Sequence, residues 1–277
     1  MIKFVVDTSS EYMLSEIKNK NIELVPVTIN IAGECYRDSY DITKDEFYNL
    51  LTTNEEFPKT SQPSPEAFLN IFKEAKENSD TVICVLLSSE LSGTCQSANI
   101  AKGMVDYDDI HIIDSLCATY MIKLLVDHAC SMADNGATTT QIIDKIEELK
   151  SKATVCVALD TLEYLYKGGR LNKAAATIGE IANLKPVIDV IDGKVVVTKK
   201  CIGKNKSMSH ILKTLEDTPA NPDFPIYSIY TCNTHNCEKF EEKLTAKGYT
   251  FRSKEQVCST IGAHVGPGAF GVIYITV

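Results

Sequence analysis

The sequence predicts an α/β protein of two domains, with an N-terminal parallel sheet that has helices on both faces and a C-terminal mixed α/β sheet. Short apolar runs alternate with helical patterns up to about residue 150, which is typical of a parallel sheet covered by helices. Further on, Asp192 and Gly193 separate two strand-like runs and predict a hairpin. The length of 277 residues exceeds the usual size of a single core, so we expect domains at residues 1–153 and 154–277.

The first domain is predicted from four apolar runs that have the length and the β-branched content of buried strands. These runs are Ile2–Val6, Leu24–Ile29, Thr81–Leu87 and Ile110–Ile113. Helical patterns lie between and after them, at Glu11–Asn19, Lys44–Leu51, Pro65–Glu77, Thr94–Gly103, Thr119–Asp134 and Gln141–Lys150. Strands that alternate with helices in this way form a parallel sheet.

The second domain is predicted from a less regular order of elements. A hairpin placed within α/β alternation indicates a mixed sheet. The predicted strands are Val155–Leu159, Pro186–Ile191, Lys194–Thr198, Ile226–Thr231 and Gly271–Val277. The predicted helices are Thr161–Tyr166, Lys173–Leu184, Ser207–Glu216 and Cys237–Lys247.

Charge and cysteine content limit the classes of partner. The chain has 28 Lys and Arg against 37 Asp and Glu, a net charge of −9, which repels nucleic-acid phosphates and anionic lipid head groups. We therefore expect no nucleic-acid partner and at most transient membrane contact. Ten scattered cysteines without a Cys-x-x-Cys pair favour a reducing cytoplasm and predict no metal site.

Loops that follow the predicted strands are rich in small hydroxyl residues, and open α/β sheets bind ligands at such loops. In the loop at residues 58–65, Ser64 is explained as a helix cap but Thr60 and Ser61 are not. In the loop at residues 87–94, Ser92 and Gly93 precede a helix, whose N-terminus favours a carboxylate or phosphate. An ordinary polar loop is the alternative for the first, and an ordinary cap for the second.

Two acidic residues end predicted strands. Asp7 and Asp114 each come directly after an apolar run and directly before a hydroxyl residue. One interpretation is that these segments only cap the helices that follow. The other is that the carboxylates orient neighbouring loop groups, and the sequence leaves both open.

The second half adds two candidate residues. Arg170 follows Gly168 and Gly169, which is more glycine than a helix C-cap needs, so a phosphate or partner contact is expected there. His264 lies in a segment with three glycines and a proline between residues 261 and 269. We expect a glycine-rich turn at this place, and a histidine in such a turn is more often functional than one in a strand or helix.

A serine hydrolase is one candidate function. Ser92, Asp114 and His264 follow one another in the order of an α/β-hydrolase triad. The Gly-x-Ser-x-Gly pattern of that class is absent around Ser92. The hydroxyl groups of these loops are therefore better explained as hydrogen-bond donors to a bound anion than as nucleophiles.

The ordered set of motifs resembles the DegV family. Most of these motifs are weak individually, but together and in this order they are specific, and they span nearly the whole chain. The matching segments are Asp7–Ser10, Val25–Val27, Lys59–Ser64, Leu91–Thr94, Asp114–Ser115, Thr161–Leu165, Gly168–Arg170 and His264–Gly268.

The resemblance implies a fold and a function. DegV proteins are two-domain α/β proteins that bind one long-chain fatty acid in a tunnel between the domains. In several bacteria they are the binding subunit of a fatty acid kinase, whose catalytic subunit makes an acyl-phosphate for phospholipid synthesis. By resemblance this chain is a lipid-binding protein without an activity of its own and without a cofactor. A Ser92-dependent acyl hydrolase or transferase and a lipid sensor with no metabolic step are the alternatives.

The resemblance also implies roles for six residues. Thr60 and Ser61 would contact the carboxylate, and so would Ser92 and the Gly93 amide. His264 would be a further polar group near the fatty-acid head. Arg170 would contact the kinase or the transferred phosphate.

Overall fold

A four-stranded parallel sheet and a six-stranded mixed sheet form the two halves of the fold, which confirms the predicted α/β class. The computed structural model describes residues 1–18, 20–171 and 183–277. The division of the chain at residues 153 and 154 stays a prediction. The strands of the first half are β1 (Ile2–Asp7), β2 (Ile22–Val25), β3 (Thr28–Ile31), β4 (Glu34–Arg37), β5 (Lys59–Ser61), β6 (Thr81–Leu86) and β7 (Ile110–Asp114).

The helices of the first half cover both faces of the parallel sheet, whose strand order is β2-β1-β6-β7. In β1, Val5 packs with one set of helices, whereas Phe4 and Val6 pack with the other, because successive side chains of a strand point to opposite faces. The helices described up to residue 150 are α1 (Leu14–Ile17), α2 (Lys44–Thr53), α3 (Pro65–Asn78), α4 (Thr94–Val105), α5 (Tyr120–Asp134) and α6 (Thr139–Lys150), besides a 3-10 turn (Thr8–Ser10).

The second half is built on the mixed sheet, ordered β10-β9-β8-β13-β11-β12. Its strands are β8 (Ala153–Ala158), β9 (Leu184–Ile191), β10 (Lys194–Ile202), β11 (Tyr227–Tyr230), β12 (Ser253–Gln256) and β13 (Phe270–Ile275). The helices described there are α7 (Glu163–Lys167), α8 (Lys204–Asp217), α9 (His235–Ala246) and α10 (Ser259–Val265). The outer face packs against α8 and α9, while Val155 and Val157 of β8 lie on the inner face, towards the first half.

The predicted hairpin is present, and its turn touches the first half. Asp192 and Gly193 both have positive φ, 49° and 78°, as a two-residue type I′ turn requires. The hydroxyl of Ser88, which follows β6, donates to the Gly193 carbonyl at 2.8 Å. The hairpin turn is therefore fixed to the loop after β6.

Proline and tertiary pairing explain two departures from the predicted strands. The run Leu24–Ile29 was expected to be one strand, but it is split at Pro26 into β2 and β3, since proline has no N–H for the ladder. The loop at residues 58–65 contains a short strand, β5, that pairs antiparallel with β3. A third sheet, ordered β4-β3-β5, results.

Two further predictions need correction, and one lies outside the described residues. The expected glycine-rich turn around His264 is instead the C-terminal part of helix α10. Of the expected helix Glu11–Asn19, the described residues 11–18 are helical only at Leu14–Ile17, and the helix begins late because Glu11 adopts φ 70°. Of the expected helix Lys173–Leu184, the segment 173–182 falls outside the described ranges, and Leu184 belongs to β9.

The hairpin turn yields a test of stability. We expect Gly193→Ala to lower the free energy of unfolding by about 2–3 kcal/mol, because a Cβ there is strained at positive φ and would overlap the Ser88 hydroxyl. Gly136→Ala is the matched control, since Gly136 also has φ 80° but no atom near its Cβ position; it should cost about 1 kcal/mol. Urea unfolding measures both, and equal losses would contradict the proposed contact.

Candidate functional site

A cavity lies between the two large sheets, with walls from both halves of the chain. The space between its walls, including the solvent-filled mouth, is about 860 Å³. Most of the wall is aliphatic. The apolar lining residues are Val27, Leu87, Leu91, Ala118, Val155, Val157, Leu165, Ile188, Val190, Val195, Ile229, Val257, Ile261, Val265, Ala269 and Phe270.

Four of the six predicted site residues line this cavity. They are Thr60, Ser92, Arg170 and His264, referred to below as the polar cluster. Thr60 Oγ1 and His264 Nε2 are 2.8 Å apart and share a hydrogen bond. The bond joins strand β5 to helix α10, two elements that the sequence did not reveal.

The imidazole of His264 is closely packed and largely shielded from solvent. The side chain is 9% exposed, and Nδ1 has no hydrogen-bond partner within the described part of the chain. Burial, and then the positive charge of Arg170, lowers the pKa of His264 to about 3. The ring is therefore neutral at physiological pH, and either the ring or the Thr60 hydroxyl can donate in their shared bond.

Gly168, the C-cap residue of α7, also packs closely against His264. A Cβ at this position would overlap Nδ1 of His264. Any larger residue would push the ring away from Thr60, so glycine is required here for close approach of the backbone.

Arg170 lies beside this ring at the mouth of the cavity. Its Nε donates to the Leu91 carbonyl at 2.9 Å, and Nη1 donates to the carbonyl of Gly168. Burial lowers the pKa of Arg170, but a guanidinium remains charged in proteins. Arg170 and Leu91 also line an outer groove together with Lys194, Lys200 and Glu90. Glu90 pairs with Lys194 at 3.5 Å, so the groove beside the mouth of the cavity has a net positive charge.

The loop after β6 supplies Ser92 and Gly93. Ser92 Oγ shares a hydrogen bond with the Thr94 hydroxyl at 2.9 Å and lies on the cavity wall. Gly93 is the N-cap of α4, and a Cβ there would overlap the Gln62 side chain. Packing against Gln62 is thus the physical reason for glycine at this position, and Gly93 itself does not line the cavity.

Ser61 lies apart from the polar cluster. It is exposed and is not part of the cavity wall. Thr60 and Ser61 are consecutive residues of β5, so their side chains point to opposite sides of the strand. Contacts from Ser61 and from the Gly93 amide to a ligand stay predictions.

The two strand-end carboxylates act as orienting groups. Asp7 accepts from the Ser9 backbone at 2.9 Å and from the Leu87 backbone at 2.8 Å, so it both caps its own turn and fixes the loop after β6. Burial raises the pKa of Asp7. Asp114 accepts from the backbone and the hydroxyl of Ser89.

The triad of a serine hydrolase is not assembled in the described residues. Ser92 is bonded to Thr94, His264 to Thr60 and Asp114 to Ser89. A triad needs the nucleophile on one ring nitrogen and a carboxylate on the other. Ser92, His264 and Asp114 therefore lack the geometry that the hydrolase alternative requires.

A group of charges with two buried carboxylates has no signal in the sequence. Glu11 is 2% exposed and Asp38 is 1% exposed, and Lys44 lies 2.8 Å from Glu11. These residues contact the segment at 256–260, whose position next to them depends on the tertiary fold. No local pattern in the sequence distinguishes them from surface charges.

The described ranges contain neither a cluster of three metal-ligating side chains nor a helix of the length and apolarity needed to cross a membrane. The polar cluster offers hydroxyl, imidazole and guanidinium groups. These are donors for an oxyanion.

The low pKa of His264 yields a test. Between pH 6.5 and 3 the unfolded chain binds a proton at this histidine and the folded chain does not. Stability therefore falls as the pH falls through this window, by at most about 1.4 kcal/mol per pH unit. We expect urea unfolding of His264→Gln to show a shallower fall than wild type, by about 2 kcal/mol between pH 6.5 and 4.5. Parallel curves would contradict the buried, neutral ring.

Comparisons with known proteins agree with this fold. A relative, a DegV domain-containing protein of Caldanaerobacter subterraneus subsp. tengcongensis, is 36% identical over 275 residues, covering 99% of this chain and 98% of the relative. A stearic-acid-binding protein from Eubacterium ventriosum superposes with a TM-score of 0.88 at 27% identity, covering 100% of this chain and 98% of that one. The Fatty Acid Kinase B3 protein of Streptococcus pneumoniae, loaded with linoleic acid, shares the fold with a TM-score of 0.85 at 23% identity and 99% coverage of each chain.

The family assignment rests on the full length of the chain. The model of the family described as "Uncharacterised protein, DegV family" matches residues 1–277. The ordered motifs, the two sheets and the cavity between them agree with that match, and the chain belongs to the DegV family.

Proposed function

We propose that the protein binds one long-chain fatty acid in the cavity and holds its carboxylate at the polar cluster. The single observation that carries this proposal is a largely aliphatic cavity between the two sheets whose wall also holds Thr60, Ser92, Arg170 and His264. Each buried methylene contributes about 0.8 kcal/mol. The tail then supplies most of the affinity, while the polar cluster fixes the orientation.

The bonded pair Thr60 and His264 suits a carboxylate. In the proposed complex the Thr60 hydroxyl donates to the carboxylate and accepts from Nε2–H of the neutral His264. Ser92 donates from the neighbouring loop, and the charge of Arg170 lies within the same mouth. A buried carboxylate needs several such donors. The fatty acids named for the two structural relatives support this ligand class.

We further propose that the protein presents the carboxylate to the catalytic subunit of a fatty acid kinase in the cytoplasm, for acyl-phosphate formation that feeds phospholipid synthesis. The name of the Streptococcus pneumoniae relative supports a kinase partner. The basic groove beside the mouth, with Arg170, Lys194 and Lys200, suits an incoming phosphate. The ten free cysteines support the cytoplasm. In this proposal the chain itself performs no chemistry.

The carboxylate assignment is tested by two substitutions. Ser92→Ala and Thr60→Val should each raise the Kd for stearic acid about 10- to 100-fold, since a hydrogen bond to a charged group is worth about 1.5–3 kcal/mol. Displacement of a fluorescent fatty acid measures the Kd of both variants.

Two further variants complete this test. Ser209→Ala, an exposed hydroxyl on α8 bonded within its own helix, is the control and should bind like wild type. Ser61→Ala decides whether the exposed Ser61 hydroxyl also contacts the ligand. Wild-type affinity in both Ser92→Ala and Thr60→Val would refute the assignment.

The kinase step is tested at Arg170. With fatty acid at a saturating concentration, we expect Arg170→Ala to reduce ATP-dependent acyl-phosphate formation with the host's kinase subunit at least tenfold, because the phosphate loses its nearest cation. The product is trapped as a hydroxamate and counted. Lys247→Ala, a surface lysine paired with Glu216, is the charge-matched control. Equal rates of acyl-phosphate formation in the two variants would refute the role of Arg170 at the phosphate site.

A further inference from the structure

A buried polar group lies behind the cavity wall and has no part in the proposed function. Glu11, Asp38 and Lys44, here called the acidic junction, come from the first 44 residues. Glu11 and Asp38 are almost fully buried. Carboxylates are rarely buried unless their partners are specific, so the partners indicate what the junction does.

Those partners lie at the beginning of helix α10. Asp38 accepts from the backbone N–H of Thr260 at 2.9 Å and also from the Thr260 hydroxyl. Glu11 accepts from the backbone N–H of Cys258 at 3.0 Å. The N–H groups at a helix start have no partner within the helix. Here two of them are held by side chains more than 200 residues away in the chain.

Lys44 balances part of the buried charge. Its Nζ lies 2.8 Å from Glu11 and donates to the Gln256 carbonyl at 2.6 Å. Burial lowers the pKa of Lys44, but the neighbouring groups, Glu11 first and then Cys258 and Asp38, together more than offset this, so the pKa is raised. Burial raises the pKa of Asp38. The acidic junction therefore fixes residues 256 and 258, which precede α10, and residue 260 in its first turn.

Helix α10 carries the imidazole of the polar cluster. Thr260 and His264 both line the cavity and, four residues apart, lie on the same face of the helix. Because α10 has only seven residues, a displacement of its first turn is passed on to His264. Binding groups need to be held within about 0.5 Å, and the 2.8 Å bond to Thr60 depends on that accuracy.

We propose that Asp38 is a positioning residue for the head-group site, which holds the first turn of α10 and thereby sets His264 against Thr60. The ligand in this proposal rests on the proposed function. The placement of the imidazole does not, and it can be measured without any ligand.

The test follows the His264 ring by nitrogen-correlated NMR in the full-length protein, together with the Kd for stearic acid. In Asp38→Ala the freed helix admits water to the ring, so the pKa of His264 should rise by at least one unit and the Kd should rise at least tenfold. Asp38→Asn keeps an oxygen acceptor for Thr260 and should restore both values to near wild type.

A control separates positioning from general loss of stability. Leu149→Ala removes a buried side chain from α6, which packs against α5. It should lower Tm while leaving the His264 resonances and the Kd unchanged. If Asp38→Ala does not fold, Thr260→Val removes only the hydroxyl bond to Asp38 and should shift the His264 resonances in the same direction by a smaller amount.

The outcomes distinguish the two proposals. Wild-type His264 resonances in Asp38→Ala, or in Thr260→Val if that is the variant that folds, would overturn the role of Asp38. If the His264 resonances shift in Asp38→Ala but the wild-type protein binds no fatty acid, the role of Asp38 stands and the proposed ligand is refuted.

Discussion

The hydrogen bond between Thr60 Oγ1 and His264 Nε2 is the contact on which the candidate site depends. Its two residues are 204 positions apart in the chain, and neither is held in place by its own segment alone. Strand β5 is placed by pairing with β3, helix α10 is anchored by Asp38 and Glu11, and Gly168 leaves room for the ring. The small third sheet and the short helix thus bring these two side chains together.

The electrostatic character of the site follows from this arrangement. The ring is neutral because it is buried beside a guanidinium, so the inner part of the polar cluster contributes hydrogen bonds without a full charge. Arg170 supplies positive charge only at the mouth. In the proposed complex, the carboxylate is neutralised from one side and hydrogen-bonded from the other, and the tail lies along the inner face of the six-stranded sheet. This division suits a ligand whose head must remain accessible.

Much of the fold was predictable because its signals are local. Runs of β-branched residues predict β1, β6, β7 and β8, and the Asp192–Gly193 pair predicts the hairpin. The signals for β5 and α10 are weak, since β5 has three residues, two of them hydroxylic, and α10 is a seven-residue helix with a glycine inside it. Both form through distant partners. Glu11, Asp38 and Lys44 are residue types typical of a surface, and only the fold shows that Glu11 and Asp38 are buried and Lys44 is half-buried.

A crystal structure of the protein with stearic acid tests the central claim most directly. We expect carboxylate oxygens within hydrogen-bonding distance, about 2.5–3.0 Å, of Thr60 Oγ1 and Ser92 Oγ, with the tail running past Val157 and Ile229. A carboxylate at any other end of the cavity, or a fatty acid bound only in the outer groove while the cavity stays empty, would contradict it.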